Sequence, residues 1–230
     1  MTRILAIETA TEACSVALLL QDEVQERFEI APRQHASLLL PFVESLLAAA
    51  GTELNRLDAL AFGCGPGSFT GLRIAAGMTQ GLAFGADLPV VPVSTLAALA
   101  QGTVAATGAR AVLAALDARM QEVYWGAFRC DDNGLVEAAG AEVVCRPQAV
   151  EVPAGDHWVG AGSGWDSYAE AMAGRCSVAS ADIYPDHKPH AADVARLAAR
   201  ALARGQTVSA DEAVPVYLRD DVADKPKPKV

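Results

Sequence analysis

Three strand-like runs separated by turns too short to hold a helix open the chain: RILAIET (3–9), CSVALLL (14–20) and VQERFEI (24–30), linked by TATEA and QDE. Strands joined this tightly pair as an antiparallel meander, and every later element has to find its place against that sheet. HASLLLPFVESLLAAAG (35–51) follows as a helix ended by Gly51. Leu39, Val43, Leu46 and Ala50 form one stripe along it, widened by Leu38, Phe42 and Ala49. Pro41 fits such a helix if it lies in the first turn. LDALAFG (57–63) is a buried strand that runs into a glycine-rich stretch, after which a helix spans Thr70 to Gly85. Strand LPVVPV (88–93) and helix STLAALAQG (94–102), capped by Ser94 or Thr95, complete the first half. From Gly108 the pattern restarts. AVLAALD (111–117) and EVYWGAF (122–128) make a hairpin around ARMQ, and AEVVC (141–145) is a third strand after the DDNG turn. HWVGAGSGW (157–165) is a strand entering a second glycine loop, and 165–174 and 190–205 are helices.

A meander opens both halves, so the chain reads as two lobes of related topology. The expected fold class is α/β, with two ribonuclease-H-like lobes in the actin-like, sugar-kinase-like (ASKHA) arrangement and the second lobe reduced. The expected divisions are an N-terminal lobe over 1–104, a C-terminal lobe over 105–222 and a flexible basic tail over 223–230. That tail holds Lys225, Lys227 and Lys229, with Pro226 and Pro228 forbidding helix; Lys188 is the only other lysine. An apolar content of 52% with 6% aromatic residues describes an Ala/Leu/Val-rich interior of helices on sheets. The net charge of −10 argues against a large autonomous nucleic-acid surface. No apolar run is long enough for a spanning helix, and Glu8 and Glu12 break up the start, which is not a signal peptide. Five cysteines without CxxC spacing fit reduced thiols in a cytoplasmic protein.

The glycine-rich stretch GCGPGSFTGLRIAAG (63–77) invites a phosphate-binding reading, because glycines let backbone approach a ligand closely. A Walker A loop needs a lysine after its second glycine, and no lysine precedes residue 188. A dinucleotide fingerprint begun at Gly65 would need glycine where Thr70 stands, one residue before Gly71. A nucleophile elbow needs glycines on both sides of Ser68, where Pro66 and Thr70 stand. In actin-like folds the phosphates are held by Asp-x-Gly hairpins. The corresponding turns here, Glu8-Thr9-Ala10 and Asp117-Ala118-Arg119, lack the glycine, and Arg119 adds bulk beside a charge able to neutralise a phosphate. Glu8 and Asp117 read as strand ends. The GAGSGW turn (160–165) keeps room for an adenosine, so an independent actin-like nucleotide hydrolase, or a metallopeptidase-like enzyme, remains the alternative to a binding subunit.

Five segments then occur in order: AIETATEACSVALL, RQHASLLLPFVESLL, GPGSFTGLRIAAG, LDARMQEVYWGAF and PVYLRDDV. Together they resemble the TsaB family, also called YeaZ, over nearly the whole chain. The resemblance implies a shortened relative of TsaD that serves as the non-catalytic partner of that catalytic subunit, joined by the ATPase TsaE. The assembly transfers threonylcarbamoyl from its adenylate to the adenosine beside the anticodon of transfer RNAs reading codons that begin with A. It further implies a heterodimer with a TsaD-like subunit, a homodimer when the chain is alone, and transfer-RNA contact mainly through the complex.

The residues agree with a non-catalytic role. TsaD-type metal sites use a pair of histidines in the first helix region, and here His35 stands alone. His187 and His190, near Asp182 and Asp186, sit in a proline-interrupted loop, so no metal, cofactor or catalytic residue is expected. Helix packing accounts for the glycines instead. Gly77, Gly81 and Gly85 share one helix face, and Gly71, Ala75, Thr79 and Ala83 share another. Each interior glycine costs about 1 kcal/mol relative to alanine, which close approach to a neighbour would offset. By resemblance, the two helices dock a partner through Leu39, Phe42, Val43 and Leu46 on the first and Arg73, Ile74, Gly77, Met78 and Gly81 on the second. Gly65, Pro66, Gly67 and Ser68 shape the turn that launches the second helix, with Ser68 or Thr70 as N-cap.

Overall fold

In the computed structural model, which describes residues 2–219, the opening meander forms β1 (Arg3–Glu8), β2 (Ala13–Leu20) and β3 (Glu23–Ile30). Helix α1 (His35–Ala49), β4 (Ala59–Gly65), α2 (Phe69–Ala86), β5 (Val90–Ser94) and α3 (Thr95–Thr107) follow. The sheet order is β3-β2-β1-β4-β5, antiparallel through β1, β2 and β3 and parallel from β1 through β4 to β5. The apolar strands β1 and β4 take the centre, covered on both faces. β3, with three glutamates and an arginine among its eight residues, takes the edge, where charge discourages pairing with another chain.

The second half repeats this plan. β6 (Ala111–Asp117), β7 (Val123–Cys130) and β8 (Val136–Ala138) form an antiparallel meander, and β10 (Val159–Ala161) and β11 (Ile183–Tyr184) extend it in parallel from β6. Read from β8, the order β8-β7-β6-β10-β11 matches that of the first sheet strand for strand. Helix α4 (Ser163–Cys176) follows β10 as α2 follows β4, and α5 (Ala191–Ala203) follows β11 as α3 follows β5. The molecule is therefore two ribonuclease-H-like lobes in the actin-like arrangement. The second is reduced: β8, β10 and β11 are shorter than β3, β4 and β5, and among the described residues no α-helix stands between β8 and β10 where α1 stands in the first.

Three expectations need correction. The meander's third strand is Val136–Ala138; β9 (Val143–Cys145), within the stretch expected to fill that role, pairs beside it on β7. Pro41 is the seventh residue of α1, beyond the first turn; Ser37, whose carbonyl would have received its missing N–H, lies on the exposed side of the helix. α3 runs on to Thr107 and ends where Gly108 adopts the left-handed cap, because Gly102 stays helical against the carboxylate of Asp193. The basic tail, 223–230, lies outside the described residues.

Packing joins the two halves. α5, from the end of the chain, lies on the first sheet, whereas α3, from the first half, lies on the second. Their apolar sides and the inner faces of both sheets share one core, which includes Ile4, Ala6, Val91, Leu96, Leu99, Val112, Phe128, Val194 and Ala198. α1 and α2 cover the outer face of the first sheet over Leu5, Ile7, Val16 and Phe62. α4 covers the outer face of the second, where Trp165 packs against Trp125.

Candidate docking surface

The turn that launches α2 is wedged between two other parts of the chain. Gly65 has φ +117°, a left-handed value that disfavours any side chain, and an added Cβ would meet the Val216 carbonyl oxygen at 2.6 Å. Pro66 is buried beside it, and Gly67 lies against Ala10, whose carbonyl accepts from the Ser68 N–H at 2.7 Å. Ser68 is the N-cap of α2, its hydroxyl facing the Gly71 N–H.

From this cap the two small-residue stripes part company. Gly71, Ala75, Thr79 and Ala83 are all buried against the sheet, and a Cβ on Gly71 would collide with the Thr9 carbonyl oxygen. Gly77, Gly81 and Gly85 are exposed, with no atom within 4 Å of an added Cβ. Nothing inside the lobe requires glycine there. Phe84, three residues beyond Gly81 and seven beyond Gly77, stands on the same side with 84% of its surface open to solvent. Sequence reasoning passed over it, although that spacing places it in the glycine stripe.

On α1 the structure corrects the residues inferred from resemblance. Leu39, Val43 and Leu46 are in the core beneath the helix, because the regular 39-43-46 stripe is the side that meets the sheet. Phe42 and Leu38 are half-buried together on one flank of that stripe, and Leu40, 44% exposed, lies on the opposite flank. On α2, Ile74 and Met78 are half-buried on the outer layer. Arg73 is exposed and already has partners in this chain: its Nε donates to the Tyr217 hydroxyl at 3.1 Å, and its guanidinium lies 3.9 Å from the centre of the Phe69 ring.

Between the lobes runs a cleft of about 820 Å³, lined by both turns that correspond to phosphate hairpins. In each, a carboxylate of the chain already holds the backbone amide. Glu8 is 1% exposed; it accepts from the Ala10 N–H at 2.6 Å and from the Thr95 hydroxyl at 3.2 Å. Burial pushes its carboxyl up to about 7 against these hydrogen bonds. Gly63 leaves the space that its carboxylate fills. Glu8 is thus more than a strand end, which only the tertiary contacts of β4 and α3 reveal. In the second turn, Asp117 accepts from the Arg119 N–H and pairs with the Arg119 guanidinium, both at 2.9 Å.

The remaining candidates have structural partners. Gly160 lies under the Trp165 ring, Gly162 and Gly164 press on β6, and Trp165 Nε1 donates to the Leu113 carbonyl at 2.9 Å. The GAGSGW turn therefore packs α4 onto its sheet. His35 Nε2 lies 3.0 Å from the Thr11 carbonyl oxygen, His187 meets Thr103, and His190 meets Glu26. Among the described residues, no group of three or more His, Cys, Asp or Glu side chains is placed to hold a metal ion. Among the described helices, none is long and apolar enough to cross a membrane.

Comparison with known proteins gives consistent matches. The family model for TsaD, tRNA N6-adenosine threonylcarbamoyltransferase, matches residues 20–227. The tRNA threonylcarbamoyladenosine biosynthesis protein TsaB of Escherichia coli strain K12 is 44% identical over 232 residues, covering 98% of each chain. Its Haemophilus influenzae namesake is 42% identical over 233 residues, covering 98% of this chain and 97% of its own. The solved structure of YeaZ from Pseudomonas aeruginosa superposes with a TM-score of 0.89 at 48% identity, covering 95% of this chain and all of that one.

Proposed function

This chain belongs to the TsaB (YeaZ) family, and on that premise we propose that it serves in tRNA threonylcarbamoyladenosine biosynthesis as a non-catalytic subunit. In this reading it docks a TsaD-like catalytic subunit through the outer side of α1 and α2, and a TsaE-like ATPase joins the pair. The catalytic subunit then transfers threonylcarbamoyl from its adenylate to the adenosine beside the anticodon of transfer RNAs reading codons that begin with A. Alone, the chain pairs with itself. It works in the cytoplasm, and transfer RNA reaches it mainly through the complex.

The observation that carries this reading is the outward side of α2. Gly77, Gly81 and Gly85 have open space above them, and Phe84 is left in solvent beside them. A soluble helix gains nothing on its own from three exposed glycines, each of which costs it about 1 kcal/mol. Close approach of a partner helix gives them a use, and an exposed phenylalanine beside a small-residue track is an anchor of the kind that interfaces bury. The chemistry of the cleft supports the non-catalytic part. Glu8 and Asp117 hold the amides that a phosphate would need.

Reconstitution tests the proposal. Transfer RNA, threonylcarbamoyl-adenylate, ATP, a TsaD-like subunit and a TsaE-like ATPase are mixed with and without this chain, and the modified nucleoside is measured by mass spectrometry. The reading predicts product only when the chain and the TsaD-like subunit are both present. Product formed by this chain alone would overturn it.

A further inference from the structure

The last part of the described chain follows a path that its sequence does not announce. Val208 forms an antiparallel bridge with Val90, with N–H to carbonyl distances of 2.8 and 2.9 Å. Ala213 is fully buried and its carbonyl accepts from Gln80 Nε2 at 3.2 Å. The Val216 N–H donates to the Cys64 carbonyl at 2.7 Å. Val216 through Arg219 then form one wall of the cleft. Tyr217 accepts from Arg73 and lies 5.5 Å from the Phe69 ring. Arg219 crosses to the other lobe, where its Nη2 lies 2.5 Å from Glu122 and its Nη1 3.7 Å from the Met120 sulfur.

The receiving end is unusual as well. Arg119, Met120 and Gln121, between β6 and β7, all have left-handed φ values of 60°, 53° and 61°. Residues with side chains rarely adopt that conformation, and three in succession require support from their surroundings. The Glu122–Ala118 backbone pair closes the turn, and the guanidinium of Arg219, itself largely buried, sits against its far side.

We propose that residues 208–219 are a strap between the lobes, latched by Arg219 on Glu122, and that Tyr217 on this strap is a positioning residue for Arg73 and Phe69 at the end of the docking side of α2. The proposal rests on the docking reading above and deepens it. Latching fixes the wall of the cleft and the Arg73–Phe69 pair together, so the state of the strap is coupled to partner binding.

Two readouts on the full-length chain test it: hydrogen exchange at the Val216 amide, and affinity for the TsaD-like subunit. Arg219→Ala is expected to speed exchange at Val216 and to weaken binding about fivefold or more. The charge exchange Arg219→Glu with Glu122→Arg is expected to restore both, and Tyr217→Phe to weaken binding while leaving the exchange slow. Gly77→Leu is the comparator. If it abolishes binding while Arg219→Ala changes neither readout, the strap is overturned and the docking reading stands. If Gly77→Leu also binds normally, the docking reading falls and takes the coupling with it.

Discussion

Glu8 occupies a place that water does not reach, and its carboxyl is pushed up to about 7 by that burial. An unfolded chain would lose this proton near 4.5, so between those values the folded state holds more protons than the unfolded one. Stability therefore falls as pH rises through that window. His190 acts in the same direction: its hydrogen bond with Glu26 raises its pKa, and the stabilisation from its charge is lost as pH rises through that raised value. Glu8→Gln separates the two. It keeps an acceptor for the Ala10 N–H, removes the charge, and is expected to flatten the pH dependence between 5 and 7. At pH 8 it should stabilise the fold by about 2–3 kcal/mol in urea unfolding. An unchanged slope would mean that Glu8 is ionised throughout. The sequence placed Glu8 at a strand end and in a turn without glycine. Its burial was not legible, because Gly63 and Thr95, which enclose it, lie far away in the chain.

Helix α2 carries glycines in two opposite surroundings, and substitution tells them apart. Gly77→Ala and Gly81→Ala place a methyl group in open space and should each stabilise the isolated chain by about 1 kcal/mol. Gly71→Ala drives a methyl group into the Thr9 carbonyl and should cost about 2–4 kcal/mol; denaturant midpoints measure all three. Periodicity separated the two stripes correctly but carried no sign for which one faces outward. The same ambiguity misplaced Leu39, Val43 and Leu46 on α1, since an apolar stripe suits a sheet as well as a partner. α5 shows another limit of local reading. Its first turn is capped from β2 and β3, with the Ala191 N–H donating to Ser15 at 2.9 Å and the Ala192 N–H to Glu26 at 3.1 Å. Glu26→Ala should cost about 1–2 kcal/mol in thermal or urea unfolding, a dependence that no reading of residues 187–205 alone would reveal.

Across the molecule, the related topology of the two halves was legible because each begins with tightly linked strands, although the third strand of the second meander, Val136–Ala138, was missed. The exchange of α3 and α5 between the sheets was not legible, because the apolar side of a helix says that it covers a sheet and not which sheet it covers. That exchange gives the lobes a shared core, leaving the outer sides of α1 and α2 as the first lobe's helical exterior. The open glycines of α2 thus face away from the whole molecule, and a substitution there can act on association without disturbing the fold. Sedimentation of the purified chain with and without a TsaD-like subunit, comparing wild type with Gly77→Leu, tests this most directly. The account predicts a heteromer for wild type and two separate species for Gly77→Leu, with the variant's circular dichroism unchanged. A natively folded Gly77→Leu chain that still sediments with the partner would contradict it.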